Sequence, residues 1–454
     1  MYDLSIKNGL IITANGKIKA DIYVKDGVIA CIVNGEQYEA VKTIDAKRKY
    51  VFPGFVDPHS HLNDPGGTIA GDFYTGTCSA AAGGITTLME HPLTFPLPST
   101  FENLNDKRKI GETKAVIDFC LFGACATDNE KEYIKMIDMG AIAFKAFITY
   151  SPEIPQIDDA NMLKTMEHLA SKNVVMSIHC ENDSIVRAGR TKQEKLGNIL
   201  PIHYESSRAE ISELEAINRM SLFAYETGVK LHVVHCSVSS GVEVVNAYKK
   251  KGADITVETC THYLSLDETD VEKWGVYAIC NPPIRKRETV EKLWKVLLEG
   301  KIDFIGSDHV TYTFEQKETG AKNVFDTPAG FRGIQTCFPI FFDEAVNKRG
   351  MKLERFVEMS SLAAAKRYGV FPRKGQIAIG SDADIVIFDP KKKWTVKKED
   401  LFYKMKWTPY LEREVTGYVE KTIVRGNVVY ENGQIIALAG YGNFIPTEAV
   451  RNRS

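Results

Sequence analysis

The chain has 454 residues, of which 44% are hydrophobic and 26% are charged, and its formal net charge is −2. This length predicts one large domain with an additional module. The near-neutral net charge does not indicate the positively charged surface that binds nucleic acid. The first residues lack the pattern of a signal peptide, and no apolar run is long enough to cross a bilayer. We therefore expect a cytoplasmic protein with no membrane partner.

The two ends of the chain share a pattern of short β-strands separated by turns. In the first 50 residues the strand-like runs are 4–6, 10–12, 21–24 and 28–30, and turn pairs such as Asn8-Gly9 and Asp26-Gly27 lie between them. Short strands separated by such turns are typical of β-hairpins. The same pattern returns at 383–388, 422–424 and 428–430. The sequence predicts one small β-sandwich built from residues 1–52 and 376–454.

The middle of the chain, residues 53–375, alternates between apolar β-branched runs and helical periodicity. The apolar runs are 50–56, 85–90, 115–122, 142–148, 174–179, 230–235, 254–259 and 303–307, and helical stretches include 161–170, 209–225, 242–250 and 290–298. Buried strands that alternate with helices indicate parallel βαβ units. Eight of them predict an α/β fold of the (β/α)8 TIM-barrel type. A doubly wound open sheet fits less well, because no glycine-rich phosphate loop follows the first strand.

The nine cysteines occur singly along the chain. Their number is odd and no C-x-x-C pair exists, so the sequence indicates neither a disulfide framework nor a zinc finger. Most of them lie in apolar strand-like runs, where we expect the thiol to act as a small core group.

Polar residues fall at the ends of five predicted barrel strands. They are His59 and His61 after the first strand, Lys145 in the fourth, His179 and His235 at the ends of the fifth and sixth, and Asp308 after the eighth. Each has a plainer explanation: a core histidine, a helix N-cap for Asp308, or an outward-pointing Lys145. A barrel would bring all six together, and imidazole and carboxylate groups are metal ligands. We therefore predict a metal site at this end of the barrel.

Four of the six other histidines are weighed as candidates and left outside this set. His91 also ends a strand, but we leave it out of the predicted ligands. His232 precedes His235 at an odd spacing, so we expect it to face the opposite side and to be structural. His168 and His203 lie in helical or loop segments, and their positions do not indicate a functional role.

Several motifs resemble those of the cyclic amidohydrolases, which comprise the allantoinases, the hydantoinases or dihydropyrimidinases, and the dihydroorotases. The motifs extend over nearly the whole chain: Pro53-Gly54-Phe55-Val56-Asp57-Pro58-His59-Ser60-His61, Ala82-Gly83-Gly84-Ile85-Thr86-Thr87, Phe144-Lys145, His179-Cys180-Glu181-Asn182, Asn281-Pro282-Pro283-Ile284-Arg285, Ser307-Asp308-His309 and Gly380-Ser381-Asp382-Ala383-Asp384. The resemblance implies a metal-dependent hydrolase that opens a C–N bond in a small cyclic amide or ureide.

The same resemblance implies a ligand set for two divalent metal ions. His59, His61 and Asp308 would hold the more buried ion, and His179 and His235 the more exposed one. Lys145 would bridge them as an N6-carboxylated lysine, since a carbamate is an anionic ligand whereas an ammonium repels cations. Zinc is the leading candidate, with manganese or cobalt as alternatives.

The resemblance also implies a mechanism and a homo-oligomer, either a dimer or a tetramer. A hydroxide shared by the two ions would attack the ring carbonyl, and Asp308 would take the proton and pass it to the departing nitrogen. Tyr150 would steady the developing oxyanion, and Asn63, Asn281 and Tyr150 would contact the substrate.

The motifs do not all point to the same cyclic substrate. Dihydroorotases carry an arginine where this chain has Asn63, which argues against dihydroorotate. Allantoinase-like segments include Thr261-His262-Tyr263 and Gly333-Ile334-Gln335, whereas 72–77 and 311–314 are hydantoinase-like. The sequence favours an allantoinase-like activity, with a hydantoinase or dihydropyrimidinase as the alternative. A third alternative is a non-catalytic barrel that acts as a binding or assembly protein. Such a protein would have lost metal-ligand residues, whereas all six predicted ligands are present in this sequence.

Overall fold

A computed structural model describes residues 1–126, 129–152 and 154–447. Its strands are β1 (Tyr2–Lys7), β2 (Leu10–Thr13), β3 (Gly16–Lys19), β4 (Asp21–Lys25), β5 (Val28–Val33), β6 (Ala40–Asp45), β7 (Tyr50–Pro53), β8 (Phe55–Ser60), β9 (Ile85–Glu90), β10 (Asp118–Ala124), β11 (Ala143–Phe147), β12 (Val175–His179), β13 (Lys230–Val233), β14 (Ile255–Cys260), β15 (Phe304–Gly306), β16 (Ile385–Thr395), β17 (Glu414–Val424), β18 (Asn427–Glu431) and β19 (Gln434–Ile435).

The helices are α1 (Phe73–Ala82), α2 (Phe101–Lys114), α3 (Glu130–Met139), α4 (Asp159–Ser171), α5 (Asp183–Lys195), α6 (Tyr204–Ser207), α7 (Glu210–Thr227), α8 (Ser239–Lys250), α9 (Thr261–Ser265), α10 (Glu268–Trp274), α11 (Arg287–Leu298), α12 (Phe314–Glu318), α13 (Cys337–Phe342), α14 (Leu353–Val357) and α15 (Ala363–Arg367). The four helices predicted from periodicity are confirmed as α4, α7, α8 and α11. Within the described ranges, no helix has both the length and the hydropathy needed to span a bilayer.

Strands β8 to β15 form one parallel sheet in which neighbours in space are neighbours in sequence. The sheet closes on itself, because Ser60 at the end of β8 pairs with His309 after β15, and the Ser307 amide donates to the Asp57 carboxylate at 2.9 Å. The predicted (β/α)8 barrel is therefore confirmed, and the open-sheet alternative is wrong.

The chain termini build two further sheets. One has the order β5-β4-β1-β6, and the other has the order β19-β18-β17-β16-β7-β2-β3, so the second sheet combines strands from both ends of the chain. Apolar side chains of the two sheets share one core, which includes Ile6, Ile22, Val51 and Ile385. The predicted sandwich from both termini is confirmed. Residues 448–454 of its predicted C-terminal part lie outside the described residues.

The first predicted barrel strand, 50–56, is split in the structure. Tyr50–Pro53 pairs with β16 in the terminal sheet, and the barrel strand begins at Phe55 and extends to Ser60. Gly54 lies where the chain passes from one sheet to the other, and no side chain fits there, because a Cβ would lie 2.0 Å from the Thr86 hydroxyl. His59 consequently lies within the barrel strand and not after it.

Candidate metal centre

The six residues singled out at strand ends lie at one end of the barrel. His59 belongs to β8, Lys145 to β11 and His179 to β12, whereas His235 and Asp308 lie two residues beyond β13 and β15. The five basic side chains are buried, and the Asp308 side chain is 13% exposed. His235 and Asp308 both have left-handed backbone conformations, with φ of 41° and 44°. Such strain in non-glycine residues clusters at functional sites.

Distances within the cluster define two adjacent groups. Oδ1 of Asp308 lies 3.2 Å from Nε2 of His59 and 3.4 Å from Nε2 of His61. On the other side, Nδ1 of His179 lies 2.9 Å from Nε2 of His235. The His59 and His235 ring centroids are 5.4 Å apart, so the two groups form one cluster.

Lys145 is a buried cation without a hydrogen-bond partner among the described residues. Burial lowers its pKa, although the carboxylates of Asp308 and Glu258 partly oppose that shift. The uncharged amine form of Lys145 is therefore more populated near neutral pH than that of an exposed lysine. Burial also raises the pKa of Asp308.

Other buried ring nitrogens of the cluster also make no hydrogen bond, although Nε2 of His59 lies close to the Asp308 carboxylate. They include Nε2 of His59, Nδ1 of His61 and Nδ1 of His235, considering only the described residues. Buried polar atoms are normally hydrogen-bonded, so several ring nitrogens of one cluster without such a bond indicate a missing partner. Imidazole and carboxylate groups are suitable donors for divalent cations. The donor set therefore fits metal binding, and a carboxyl group on Lys145 would add an anionic oxygen.

His91, which sequence reasoning left outside the ligand set, lies beside it. One ring nitrogen from each of His59, His61 and His91 falls within 4.8 Å of the others. The His91 ring stacks on that of His59 with centroids 3.9 Å apart, and its Nε2 contacts the Pro58 carbonyl at 3.1 Å. His91 therefore packs directly against a predicted ligand.

Glu258 is a site residue that sequence reasoning missed. Its Oε1 accepts a hydrogen bond from Nδ1 of His59 at 2.5 Å and from the His235 amide at 3.1 Å. The carboxylate thus fixes the His59 tautomer that leaves Nε2 free for a metal ion. The available signal was an acidic residue within the apolar run 254–259.

Glu258 also explains why the expected orientation of His232 is wrong. Nε2 of His232 lies 3.4 Å from Oε2 of Glu258, and the ring stacks on Phe304 inside the barrel. Strand β13 ends at Val233 and His235 has positive φ, so the alternation of strand faces does not continue to His235. His232 therefore points inward, beneath the cluster.

A second acidic residue orients His179. Oε2 of Glu181 lies 2.8 Å from Nε2 of His179, and the Arg208 guanidinium holds both oxygens of that carboxylate at 3.0 and 2.5 Å. Burial alone would raise the pKa of Glu181, but Arg208 and His179 hold it well below its ordinary range. The contacts from Arg208 through Glu181 to His179 leave Nδ1 of His179 facing His235.

The cluster forms the floor of a cavity of about 490 Å³. This volume is typical of small-molecule sites. Phe147, Leu93 and Val310 supply apolar surface, whereas the exposed Arg190 and Gln316 make part of the rim polar.

The three predicted substrate contacts occupy different positions. Asn281 lines the cavity, and its Oδ1 accepts a hydrogen bond from the Tyr204 hydroxyl at 2.8 Å. Tyr150 also lines the cavity but is 71% exposed. Asn63 lies in an adjoining cleft, and its amide donates to the Thr311 carbonyl at 2.6 Å. The structure therefore brings Asn281 and Tyr150 to the cavity, and not Asn63.

The sequence also matches a known protein family. Residues 50–429 match the model of the amidohydrolase family. The chain belongs to the amidohydrolase family. An L-hydantoinase from Paenarthrobacter aurescens is 35% identical to this amidohydrolase over 98% of each chain, and an allantoinase from Enterococcus faecalis is 36% identical over 98% of this chain and 99% of its own.

Solved structures agree with the fold of this amidohydrolase. The L-hydantoinase (dihydropyrimidinase) from Arthrobacter aurescens has a TM-score of 0.96 at 35% identity, covering 98% of this chain and all of its own. A dihydropyrimidinase from Brevibacillus agri has a TM-score of 0.93 at 32% identity, covering 98% of this chain and 99% of its own. The amidohydrolase is thus a hydrolase with a site able to hold metal ions.

Proposed function

We propose that this amidohydrolase opens the C–N amide bond of a small cyclic ureide, in the manner of an allantoinase, with the help of two divalent cations. The observation that carries the proposal is the convergence of four imidazoles, Lys145 and Asp308 on the floor of one cavity. Relatives named allantoinase and hydantoinase match nearly the full length of this chain.

The two groups within the cluster support a division of the ligands. His59, His61 and Asp308 would hold the more buried cation, since one Asp308 oxygen lies within 3.4 Å of both rings. His179 and His235 would hold the more exposed cation, and Lys145, once N6-carboxylated, would bridge the two. Zinc suits these donors best, and manganese or cobalt would also fit.

Bound cations would polarise the ring carbonyl and lower the pKa of a water molecule. Asp308 is the proposed proton carrier. Its carboxylate would accept the proton of the attacking water and deliver it to the ring nitrogen as the C–N bond breaks and the new C–O bond forms. Its partial exposure on the cavity floor supports both transfers, because the substrate would lie directly above it.

The remaining cavity residues would orient the ring. Asn281 is held by Tyr204, so its amide is fixed before a substrate arrives. The Tyr150 hydroxyl would steady the developing oxyanion, which requires its exposed ring to turn into the cavity. Asn63 would contact only a substrate that extends into the adjoining cleft.

The polar part of the rim favours a ureide. Gln316 and the Arg190–Asp326 ion pair border the cavity and could bind a polar group attached to the ring. The second candidate is a hydantoinase or dihydropyrimidinase, which the apolar surface of Phe147 and the structural similarity to the L-hydantoinase favour. Dihydroorotate is less favoured, because Asn63 replaces an arginine that would grip its carboxylate.

The test is hydrolysis of allantoin, alkyl and aryl hydantoins, dihydrouracil and dihydroorotate by protein of defined metal content. Fastest turnover of allantoin supports the first candidate, and fastest turnover of hydantoins or dihydrouracil supports the second. A folded protein that binds no divalent ion and hydrolyses no substrate would instead be a binding or assembly protein. Sedimentation analysis of the same sample would test the expected dimer or tetramer.

A further inference from the structure

A buried lysine lies behind the cavity wall, away from the predicted metal ligands. Lys317 belongs to the short helix α12 and is 3% exposed. Its Nζ donates to three backbone carbonyls, those of Ile279 at 3.0 Å, Pro328 at 2.8 Å and Gly330 at 2.9 Å. An ammonium has three N–H donors, so this geometry uses all of them.

The three carbonyls belong to two segments that both line the cavity. Ile279 lies two residues before Asn281, and Pro328 and Gly330 are lining residues themselves. The segments also meet directly, because the Gly330 amide donates to the Ile279 carbonyl at 2.8 Å. Neither segment is a helix or a strand at these positions. Their separation therefore depends on a few contacts, and Lys317 supplies three of them.

Lys317 also connects these segments to a third part of the wall. Its Nζ lies 5.8 Å from the centre of the Tyr312 ring, which borders the same cavity, and its neighbours Gln316 and Thr319 are lining residues. The Thr319 hydroxyl adds a hydrogen bond to the Asp326 carbonyl at 2.9 Å. The ammonium therefore links the helix to both segments, in addition to the Gly330–Ile279 and Thr319–Asp326 hydrogen bonds.

We propose that Lys317 is a positioning residue that sets the shape of the substrate-binding wall through the carbonyls of Ile279, Pro328 and Gly330. It touches neither the predicted metal ligands nor the cavity itself. The proposal rests on the proposed function for its kinetic consequence, but its structural consequence is independent of the substrate. Loss of the ammonium would remove the donor to the Pro328 and Gly330 carbonyls and one of the two donors to the Ile279 carbonyl, and the wall would loosen.

The experiment compares Lys317→Met with wild-type protein by hydrogen exchange, metal analysis and kinetics. We expect faster amide exchange in peptides covering 278–283 and 327–332, unchanged exchange around His59 and His235, and unchanged metal content. With the best substrate of the panel, KM should rise at least tenfold and kcat should change less. Lys322→Met, an exposed lysine on the same stretch of chain, is the matched control and should equal wild type.

A second variant keeps the test decisive. If Lys317→Met does not fold, Lys317→Gln replaces it, because the amide keeps two N–H donors without the charge. Wild-type exchange in both segments, or wild-type KM in a folded variant, would overturn the proposal, as would loss of metal from the variant. If the wild-type protein hydrolyses no panel substrate, the proposed function fails, and the exchange result still decides the role of Lys317.

Discussion

Replacing Glu258 by glutamine is expected to weaken metal binding although Glu258 is not a predicted ligand. One Oε1 atom accepts hydrogen bonds from the His59 ring and the His235 amide, and both side chains of the His59–Glu258 pair are 1% exposed. Glutamine keeps the shape but removes the charge. A hydrogen bond to a charged group contributes about 1 kcal/mol more than one between neutral groups, so two such bonds lose about 2 kcal/mol.

This loss corresponds to roughly 30-fold weaker metal binding, within the usual range for residues that orient metal ligands. The assay is competition for zinc between the protein and a chromophoric chelator. Asp267→Asn is the matched control, since Asp267 is another buried acid, which pairs with Arg287, but it caps helix α10 and does not line the cavity. The control should lose stability and keep its zinc affinity. Wild-type zinc affinity in folded Glu258→Gln would refute the orienting role.

Three further outcomes are expected. Lys145→Ala should lose both metal and activity, with partial rescue by short carboxylic acids that replace the carbamate, and full activity in this variant would contradict the bridging role. Asp308→Asn should retain metal at the more exposed position but lose turnover by a factor of about 10² or more, as expected for a lost general base; near-normal turnover would remove Asp308 as proton carrier. Burial lowers the pKa of His262 from 6.5 to about 3, so the unfolded state takes up a proton as pH falls below 6.5 while the folded state does not. The wild-type protein should therefore lose about 2 kcal/mol of stability relative to His262→Gln between pH 6.5 and about pH 5, measured by urea unfolding, and parallel pH profiles would contradict this.

The barrel and the cluster of six residues could be predicted because both follow from local patterns. Apolar runs alternate with helical periodicity, and a polar residue at a strand end is conspicuous in the sequence. The split at Gly54 was not predictable in this way, because Tyr50–Pro53 and the first two residues of the barrel strand, Phe55 and Val56, form one continuous apolar run and separate only through pairing with distant strands.

The residues that orient the site could not be read from local patterns. Glu258 and Lys317 act through contacts with segments that are far apart in sequence: Glu258 lies 199 residues from His59, and Lys317 lies 38 residues from Ile279. The inward orientation of His232 was also hidden, because it depends on where β13 ends and on the positive φ of His235. Such features require the three-dimensional arrangement of strand ends and loops.

The proposed two-metal site can be located by anomalous X-ray diffraction at the zinc absorption edge, on crystals of the zinc-loaded protein. We expect two anomalous peaks in the cluster, one coordinated by His59, His61 and Asp308 and the other by His179 and His235, with a carboxylated Lys145 reaching both. Fully occupied zinc elsewhere, or an unmodified Lys145 that contacts neither ion, would contradict the proposed site.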